Sequence, residues 1–599
     1  MPISTRPGGG VVAIRCAAIC GSLAAAIAAF VFFLKFGSAA GLSLIDILRA
    51  IFLLVATFWL AWGASQALLG LFLRPATPPH HAAATTPITT RVVVLVPIYE
   101  EDPVATFSRI AAMDASLEVL GQTSQFDFAI LSDTRDPVTA ARERLWYLRL
   151  LRDRSGQGRI YYRRRDDNRG RKAGNIEDFI QTSGAAYEFG IILDADSLME
   201  GTTMLEMVAR MQADRRLGLL QTLPQMINAR TRFARAMQFS AAFNSPVFAR
   251  GLALLQGQTG PFWGHNAIIR MRAFAQSCGL PDIPGNPPFG GPILSHDYVE
   301  AAFLARAGWT VRLDPDLSGS FEEGPATLID HAKRDRRWCQ GNLQHARLLT
   351  ASGLAGWSRF VFVQGILAYI VSLFWLGFLL TSIIAPAVES QTLYFPVPRW
   401  PVPLIYPTET ALAVGLFIGI FGLLILPKLL IGADAVLRRR VRHFGGFLRA
   451  SASVLTELAF SSLIAPILLM FQVRAVLQVF LGRDGGWPAQ DREGSHRSLR
   501  QAWAHSYWIV TAGLLGLSLA MAMSPGLLLW LLPVALPMLL SPLIIAWSSQ
   551  PGQGWLFATP EDQAPTPVMR QRAQILQQWQ HDGDSAPLPM TTTGQLARG

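Results

Sequence analysis

Residues 190–196 read Gly-Ile-Ile-Leu-Asp-Ala-Asp, a short apolar run stopped by two carboxylates set two apart. An apolar run of this length closed by a turn signal predicts a buried strand. The same pattern recurs upstream. Arg91-Val92-Val93-Val94-Leu95-Val96 ends at Pro97, Phe126 to Leu131 is closed by Ser132-Asp133, and Ile160-Tyr161-Tyr162 follows a helical stretch. Amphipathic or helical stretches run to Leu120, over 137–151, and from Ala173 onward. Strands alternating with helices predict an α/β fold around a mostly parallel sheet with both faces covered. Ligands of such sheets bind beyond the carboxyl ends of the strands. Glu100, Asp133, Asp194 and Asp196 stand at those ends here, so the acids are expected to converge on one edge.

The flanks of this region belong to a different solvent. The chain has 599 residues, 51% hydrophobic and 16% charged, against about 25% charged in an ordinary soluble protein; its mean hydropathy is +0.31. Crossing a bilayer takes about 20 apolar residues. Cys16 to Leu34, Ala50 to Leu73, Phe360 to Ala387, Ala411 to Leu426, Tyr507 to Met523 and Gly526 to Ala546 approach or meet that length. The first exceeds a signal-peptide core and is read as retained. The stretch 447–481 is apolar but carries Arg449, Glu457, Arg474 and Pro466, and is expected to form interfacial or re-entrant helices. The predicted organisation is two transmembrane helices over 1–74, a Pro/Ala/Thr-rich linker over 75–90, a cytoplasmic domain over 91–345, transmembrane and interfacial helices with a polar loop near 482–500 over 346–550, and a loosely ordered or surface-lying cytoplasmic tail over 551–599. With both ends and the domain on one side, the number of crossings is even. The net charge of +11 fits a lipid bilayer better than nucleic acid. Clusters such as Arg438-Arg439-Arg440-Val441-Arg442-His443 lie beside spans and mark cytoplasmic loops, and no exposed aromatics are interleaved with them. The four cysteines, Cys16, Cys20, Cys278 and Cys339, have neither zinc spacing nor a disulfide pattern.

Three segments carry candidate chemistry. Asp194-Ala195-Asp196 follows a strand, where both carboxylates can face one ligand; magnesium binds through one or two carboxylates plus substrate phosphates. Alone the triplet would pass for a solvated turn, and Asp133 beside it argues otherwise. Asp297, in Ser295-His296-Asp297-Tyr298-Val299-Glu300, is either a helix N-cap or a base that removes a proton from an attacking hydroxyl. In Arg334-Asp335-Arg336-Arg337-Trp338-Cys339-Gln340-Gly341-Asn342, Arg337 can grip a pyrophosphate in bidentate fashion and Trp338 offers a flat face to a sugar ring. The same segment also suits an interfacial helix. Lys172, at the start of a helix, is placed for phosphate, while the basic run 163–165 reads as a solvated loop. Gly264-His265-Asn266 is either an acceptor-pocket wall or a structural turn.

Taken together, Val96-Pro97-Ile98-Tyr99-Glu100, Ser132-Asp133, Lys172-Ala173-Gly174-Asn175, Asp194-Ala195-Asp196, Asp297 and Arg337-Trp338 resemble glycosyltransferase family 2, the processive synthases of cellulose, chitin and hyaluronan type. Within it, the segments 296–302 and 336–343, with Glu100-Glu101-Asp102-Pro103, look like the subgroup of osmoregulated periplasmic glucan glucosyltransferases H. The resemblance implies a GT-A type cytoplasmic domain between α-helical transmembrane segments of a bacterial inner membrane. It implies inverting, processive transfer from UDP-glucose to a glucan acceptor chain, with Mg2+ or Mn2+ as cofactor and a β-glucan product, β-1,2-linked, translocated for periplasmic glucan synthesis. It assigns Glu100 and Asp133 to the uridine, Lys172 and Arg337 to the diphosphate, Asp194 and Asp196 to ribose and metal, Asp297 as base and Trp338 to the acceptor sugar. Acyl carrier protein and a periplasmic glucan-processing protein are implied as partners. The chain departs from the general synthase pattern at Arg334, where Gln stands three residues before the Arg-Trp pair, and at Ser295-His296, where Thr-Glu precedes the acid. Two competing functions are a non-processive glycosyltransferase acting on a lipid carrier and a transporter with a regulatory nucleotide domain.

Overall fold

A computed structural model describes residues 8–37, 42–73, 88–388, 410–485, 496–552 and 554–585. The expected linker over 75–90 lies mostly outside these residues, as do much of the loop near 482–500 and the end of the tail.

Ten strands are present: β1 (Val92–Ile98), β2 (Phe126–Ser132), β3 (Ile160–Arg164), β4 (Phe189–Ile192), β5 (Leu198–Met199), β6 (Leu217–Gln221), β7 (Gln225–Ile227), β8 (Ala267–Arg270), β9 (Thr310–Leu313) and β10 (Ser320–Glu323). Seven form one sheet in the order β3-β2-β1-β4-β8-β6-β9; β5, β10 and β7 form a small second sheet. β1 pairs in parallel with β2 and β4, and β2 with β3, so four carboxyl ends open on the same edge. β8 runs antiparallel between β4 and β6, which makes the sheet mixed. Every residue of β1 and β2 is buried. Val92, Val94 and Val96 enter one hydrophobic cluster and Val93 and Leu95 the other, as a two-residue period with layers on both faces requires.

Among the described residues, six helices are long and apolar enough to cross a membrane: Gly9–Gly37, Leu44–Phe72, Gly356–Val388, Thr410–Leu437, Phe447–Phe480 and Leu499–Met523. A further pair, Pro525–Leu539 and Ser541–Ser548, is bent by 54°. Thus 447–480 is one continuous helix, where shorter interfacial or re-entrant helices were expected, and the break falls instead within 525–548. The charges that argued against a span are accommodated. Lys428 of the neighbouring helix donates to both oxygens of Glu457 (2.8 and 3.0 Å), and the Arg474 guanidinium lies 5.2 Å from the Trp508 ring centroid. Pairing removes much of the penalty of an ionised group in an apolar setting.

The sheet domain is seated directly on the membrane helices. Helix Arg232–Gln256 runs against Leu44–Phe72, and the two backbones meet at glycines. A Cβ on Gly70 would lie 1.8 Å from the Val247 carbonyl oxygen, and one on Gly251 would lie 1.9 Å from that of Gln66.

The described part of the tail, to residue 585, docks on the sheet domain, the second of the two alternatives expected. Helix Pro567–Ser585 packs on Pro103–Val119, and Trp579, 1% exposed, joins the same core cluster as β1. Its ring lies 5.3 Å from that of Trp146, and its indole N–H donates to Asp153 (2.9 Å). A large aromatic in a sequence rich in Gln therefore anchors the chain's end to the sheet domain. Trp579→Ala is expected to destabilise the domain by about 3–5 kcal/mol, read as a lower unfolding midpoint in detergent. Trp555→Ala, at a side chain 62% exposed, should leave the midpoint in place.

Candidate active site

At the edge where β1 to β4 end lies a cavity of about 420 Å³. Its walls include Asp133, Lys172, Asp194, Asp196, Asp297, Arg337 and Trp338, residues spread over more than 200 positions of sequence. The edge of the sheet brings seven of the eight candidate residues together. Glu100 is the exception. Its φ of 55° turns the chain just past β1, and its backbone N–H donates to the Thr134 hydroxyl (2.9 Å). Glu101 lines this cavity, whereas Glu100 faces a second cavity.

The β2 end is more heavily engineered than its two-residue motif suggests. Arg165 donates to both oxygens of Asp133, at 2.5 and 3.0 Å, and Asn175 donates to one of them at 2.8 Å. Arg163 in turn donates to the Asn175 side chain (2.5 Å). Burial pushes the Asp133 carboxyl above its ordinary range, with Arg165 and Arg163 pulling the other way. Arg163 and Arg165 are therefore not solvated loop charges: from the end of β3 they hold Asn175 and Asp133 in place, while Arg164 between them is exposed.

The Asp194-Ala195-Asp196 turn is fixed from three sides. The Asp194 N–H donates to Ser197 Oγ (3.0 Å), and that hydroxyl donates to Asn266 (2.6 Å). Arg109 donates to the Ala195 carbonyl (3.1 Å). Lys172, at the start of helix Arg171–Ser183, pairs with Asp194 and donates to the Gly264 carbonyl (2.8 Å). Asn266 is fully buried, with φ of 52°, and donates to Ser320 Oγ and the Phe321 carbonyl. Gly264 and His265 line the cavity, so this triplet is a structural turn and a pocket wall at once.

Glu322 went unnoticed in the sequence. His265 Nε2 stands 3.5 Å from its carboxylate. Burial raises the Glu322 carboxyl, opposed first by His265 and then by Arg334, and reinforced by Asp196 and Asp194. No sequence signal distinguishes it from Glu323 beside it; only the pairing of β10 with its neighbours decides which one turns inward. Among the described residues no cluster of three or more His, Cys, Asp or Glu forms a metal cage. Asp194 and Asp196 together fit a hard divalent cation that draws the rest of its shell from phosphate and water.

Asp297 sits in the first turn of helix His296–Arg306, whose N-cap is Ser295, so capping does not account for the acid. His296 Nδ1 lies 3.0 Å from Glu300. Burial raises the Asp297 carboxyl, with the His296 charge opposing it. The loop before this helix is strapped to helix Leu328–Gln344. The Leu294 N–H donates to Gln344 (3.0 Å), His345 Nε2 meets the Ser295 carbonyl (3.0 Å), and a Cβ on Gly341 would lie 2.2 Å from Ser295 Oγ. Arg337 and Trp338 of that helix line the same cavity as Asp297. The Arg334 guanidinium lies 4.5 Å from the Trp338 ring centroid, within cation–π range, and the ring remains 45% exposed.

The chain is similar to known glycosyltransferases. The family model "Glycosyl transferase family group 2" matches residues 191–424. A glucans biosynthesis glucosyltransferase H of Cereibacter sphaeroides is 60% identical over 589 residues, covering 98% of this chain and 99% of that protein. One of Rhodopseudomonas palustris is 42% identical over 498 residues, 81% of this chain and 67% of the longer relative. Among solved structures, the glucosyl-3-phosphoglycerate synthase of Mycobacterium tuberculosis, in complex with Mn2+, UDP-glucose and phosphoglyceric acid, aligns with 47% of this chain and 87% of its own at 11% identity and a TM-score of 0.28. The chain belongs to the glucans biosynthesis glucosyltransferase H family and is a glycosyltransferase, its mixed-sheet α/β domain flanked by apolar helices.

Proposed function

We propose that this glucosyltransferase takes glucose from UDP-glucose and adds it repeatedly to a glucan acceptor, by inverting displacement, giving a β-glucan that passes through the membrane helices. The observation that carries the reading is one cavity, beside the apolar helices, lined by acids from the sheet edge and by the Arg-Trp helix. In this reading Asp133 orients the uridine, and Lys172 and Arg337 hold the diphosphate. Asp194 lies toward the ribose, and Asp196 holds Mg2+ or Mn2+. The metal, when bound, neutralises charge developing on the departing diphosphate. Asp297 accepts the proton of the attacking hydroxyl. Trp338, stiffened by Arg334 against its ring, supports the acceptor sugar. Glu100 retains a part at the uridine only through the turn it makes beside Thr134.

Polar contacts among the apolar helices and where the sheet domain meets them support an exit path: Lys428 with Glu457, Ser240 of helix Arg232–Gln256 donating to Glu457 (3.1 Å), and Tyr369 donating to Asp335 of helix Leu328–Gln344 (3.2 Å). Ionisable groups among membrane helices mark substrate routes more often than structure alone. The domain and both chain ends are assigned to the cytoplasm of a bacterial inner membrane, where nucleotide sugars are made. β-1,2 linkage, acyl carrier protein and a periplasmic processing protein enter by family alone.

Linkage and size analysis of what the purified protein makes from UDP-glucose and magnesium tests the whole reading. A polymer supports it, and a single-sugar lipid product would favour the lipid-carrier alternative. Asp297→Asn is expected to slow synthesis by about 10²–10⁴-fold; turnover near that of the parent enzyme rules the base out. Because the base works only when ionised, kcat/KM falls as pH drops through the raised Asp297 value. Removing the opposing cation in His296→Gln should move that acid limb to higher pH, and a limb that stays put or moves down counts against it. Arg165→Ala leaves Asp133 buried with Asn175 as its remaining side-chain donor and no ion-pair partner in contact, which costs about 1–3 kcal/mol. A rise in the UDP-glucose KM of about tenfold or more is expected, and an unchanged KM would remove Asp133 from the donor site.

A further inference from the structure

Helix Thr410–Leu437 ends in a run of cations, Arg438-Arg439-Arg440-Val441-Arg442-His443, and the chain re-enters an apolar helix at Phe447. The elbow between them is tight. Arg439, Gly445 and Gly446 have φ of 59°, 85° and 90°, a conformation that glycine adopts without steric cost. Val441 and Phe444 point inward. Both are buried in one cluster with Phe239 and Phe243 of helix Arg232–Gln256, and the Phe444 ring lies 5.8 and 5.0 Å from those two rings. The elbow therefore sits on the side of the membrane helices that carries the sheet domain. With its two apolar side chains turned in, Arg438, Arg439, Arg442 and His443 are left exposed. Next to them, on the ends of the two apolar helices, stand Leu437, Phe447 and Leu448, which are 83%, 57% and 78% exposed.

The charge at the elbow is not balanced. Arg438 pairs with Asp434 (2.5 Å), and Arg235 lies 3.8 Å from Asp562. Arg439, Arg440 and Arg442 have no ion-pair partner among the described residues. Arg449 donates to the carbonyls of Gly554 and Trp555, which carry no charge. The nearby acid that remains is Glu561, on the short helix Pro560–Gln563 packed against the elbow, and burial raises its carboxyl. Arg440 feels the surplus. Burial lowers its guanidinium, and Arg250 and Arg438 pull the same way with Asp434 opposing them. Basic residues collect beside spans for reasons of topology alone. Topology asks only for charge, however, and does not account for exposed guanidinium groups fixed around a buried pin and bordered by exposed apolar side chains.

We propose that this elbow binds the headgroup of an anionic phospholipid, with Arg439 and Arg442 on the phosphodiester and Leu437, Phe447 and Leu448 against the acyl chains. A guanidinium fork offers paired N–H donors to phosphate oxygens, and basic clusters just outside a membrane helix gain affinity for anionic lipid with each charge. A zwitterionic headgroup brings a cation of its own into the same space and loses that gain. A soluble anion would meet the arginines and leave the apolar side chains in water, so lipid is the occupant that uses both. The pin has a further connection. Phe444 packs on the helix that meets Leu44–Phe72 at Gly70 and Gly251, and Arg250 of that helix donates to the Gly70 carbonyl (3.0 Å). Lipid held at the elbow thus supports the joint between sheet domain and membrane helices. None of this depends on the reaction performed in the catalytic cavity.

The test places the full chain in nanodiscs of phosphatidylcholine, alone or with increasing phosphatidylglycerol, and follows hydrogen exchange. Saturable protection of residues 438–448 by phosphatidylglycerol is expected. Arg439→Gln together with Arg442→Gln should weaken the apparent affinity by about tenfold or more, and Arg439→Lys with Arg442→Lys should restore part of it. Arg144→Gln with Arg152→Gln, on the exposed side of helix Pro137–Arg154, is the control and should leave protection as in the parent protein. Protection that is absent, that phosphatidylcholine gives equally, that survives the Gln pair at the elbow, or that the control pair also abolishes would overturn the proposal. Should the elbow Gln pair unfold early in detergent, the parent protein decides alone. Protection that fades as salt is raised supports the site, and protection indifferent to salt overturns it.

Discussion

The architecture turns on the strap between the loop at 294–295 and the helix Leu328–Gln344. The loop belongs to the sheet domain, and the helix leads into the later membrane helices. Two hydrogen bonds and a glycine contact at Gly341 hold these halves in register. The glycine matters because only a residue without a Cβ lets the helix backbone come so near Ser295. Asn342 continues the connection. Its side chain donates to the Trp338 carbonyl (2.9 Å), and a Cβ on Gly365 of the following membrane helix would lie 2.2 Å from its Oδ1. Gln340 reaches the other way, donating to Asp484 (2.7 Å) and accepting from the Gly485 N–H (3.0 Å). The stretch 340–345 thus ties the loop before Asp297, the Trp338 turn and two membrane-helix regions to one another.

Charge is handled by pairing throughout. The acids at the strand ends would repel one another in a half-enclosed space, and each meets a cation or donor from another element: Arg165 at Asp133, Lys172 at Asp194, His265 at Glu322. Such pairing preorganises a site before ligand arrives. The same logic allows a span with Glu457 in it. Partners across helices replace the water that the charge has lost.

Much of the sheet was legible in the chain because its strands are short apolar runs ended by acids, a pattern set locally. The carboxylates at β1, β2 and β4 could be put on one edge from strand–helix alternation alone, since parallel pairing sends successive ends the same way. Insertion of β8 antiparallel between β4 and β6 is a long-range pairing with no local mark. Arg163 and Arg165 looked like loop charges because nothing in the sequence says that β3 delivers them beside Asp133. Arg449, Glu457 and Arg474 looked like interruptions of a membrane helix because their partners lie on other helices. Trp579 was passed over because its surroundings are polar in sequence and apolar only after docking on 103–119. Asp297 and the Arg337-Trp338 pair stood out by residue type and resemblance, yet the glycine contact that ties their segments together is one that sequence patterns do not report.

Gly70 and Gly251 impose one more condition. Where two helices touch backbone to backbone, there is no side-chain layer to shear, and the joint is stiff in both sliding and rotation. The sheet domain is therefore held at a fixed position and heading relative to its anchor helix Leu44–Phe72. For any saccharide lengthened at that rim, the stroke of each addition falls on the saccharide, while the protein beneath it serves as a stationary bed.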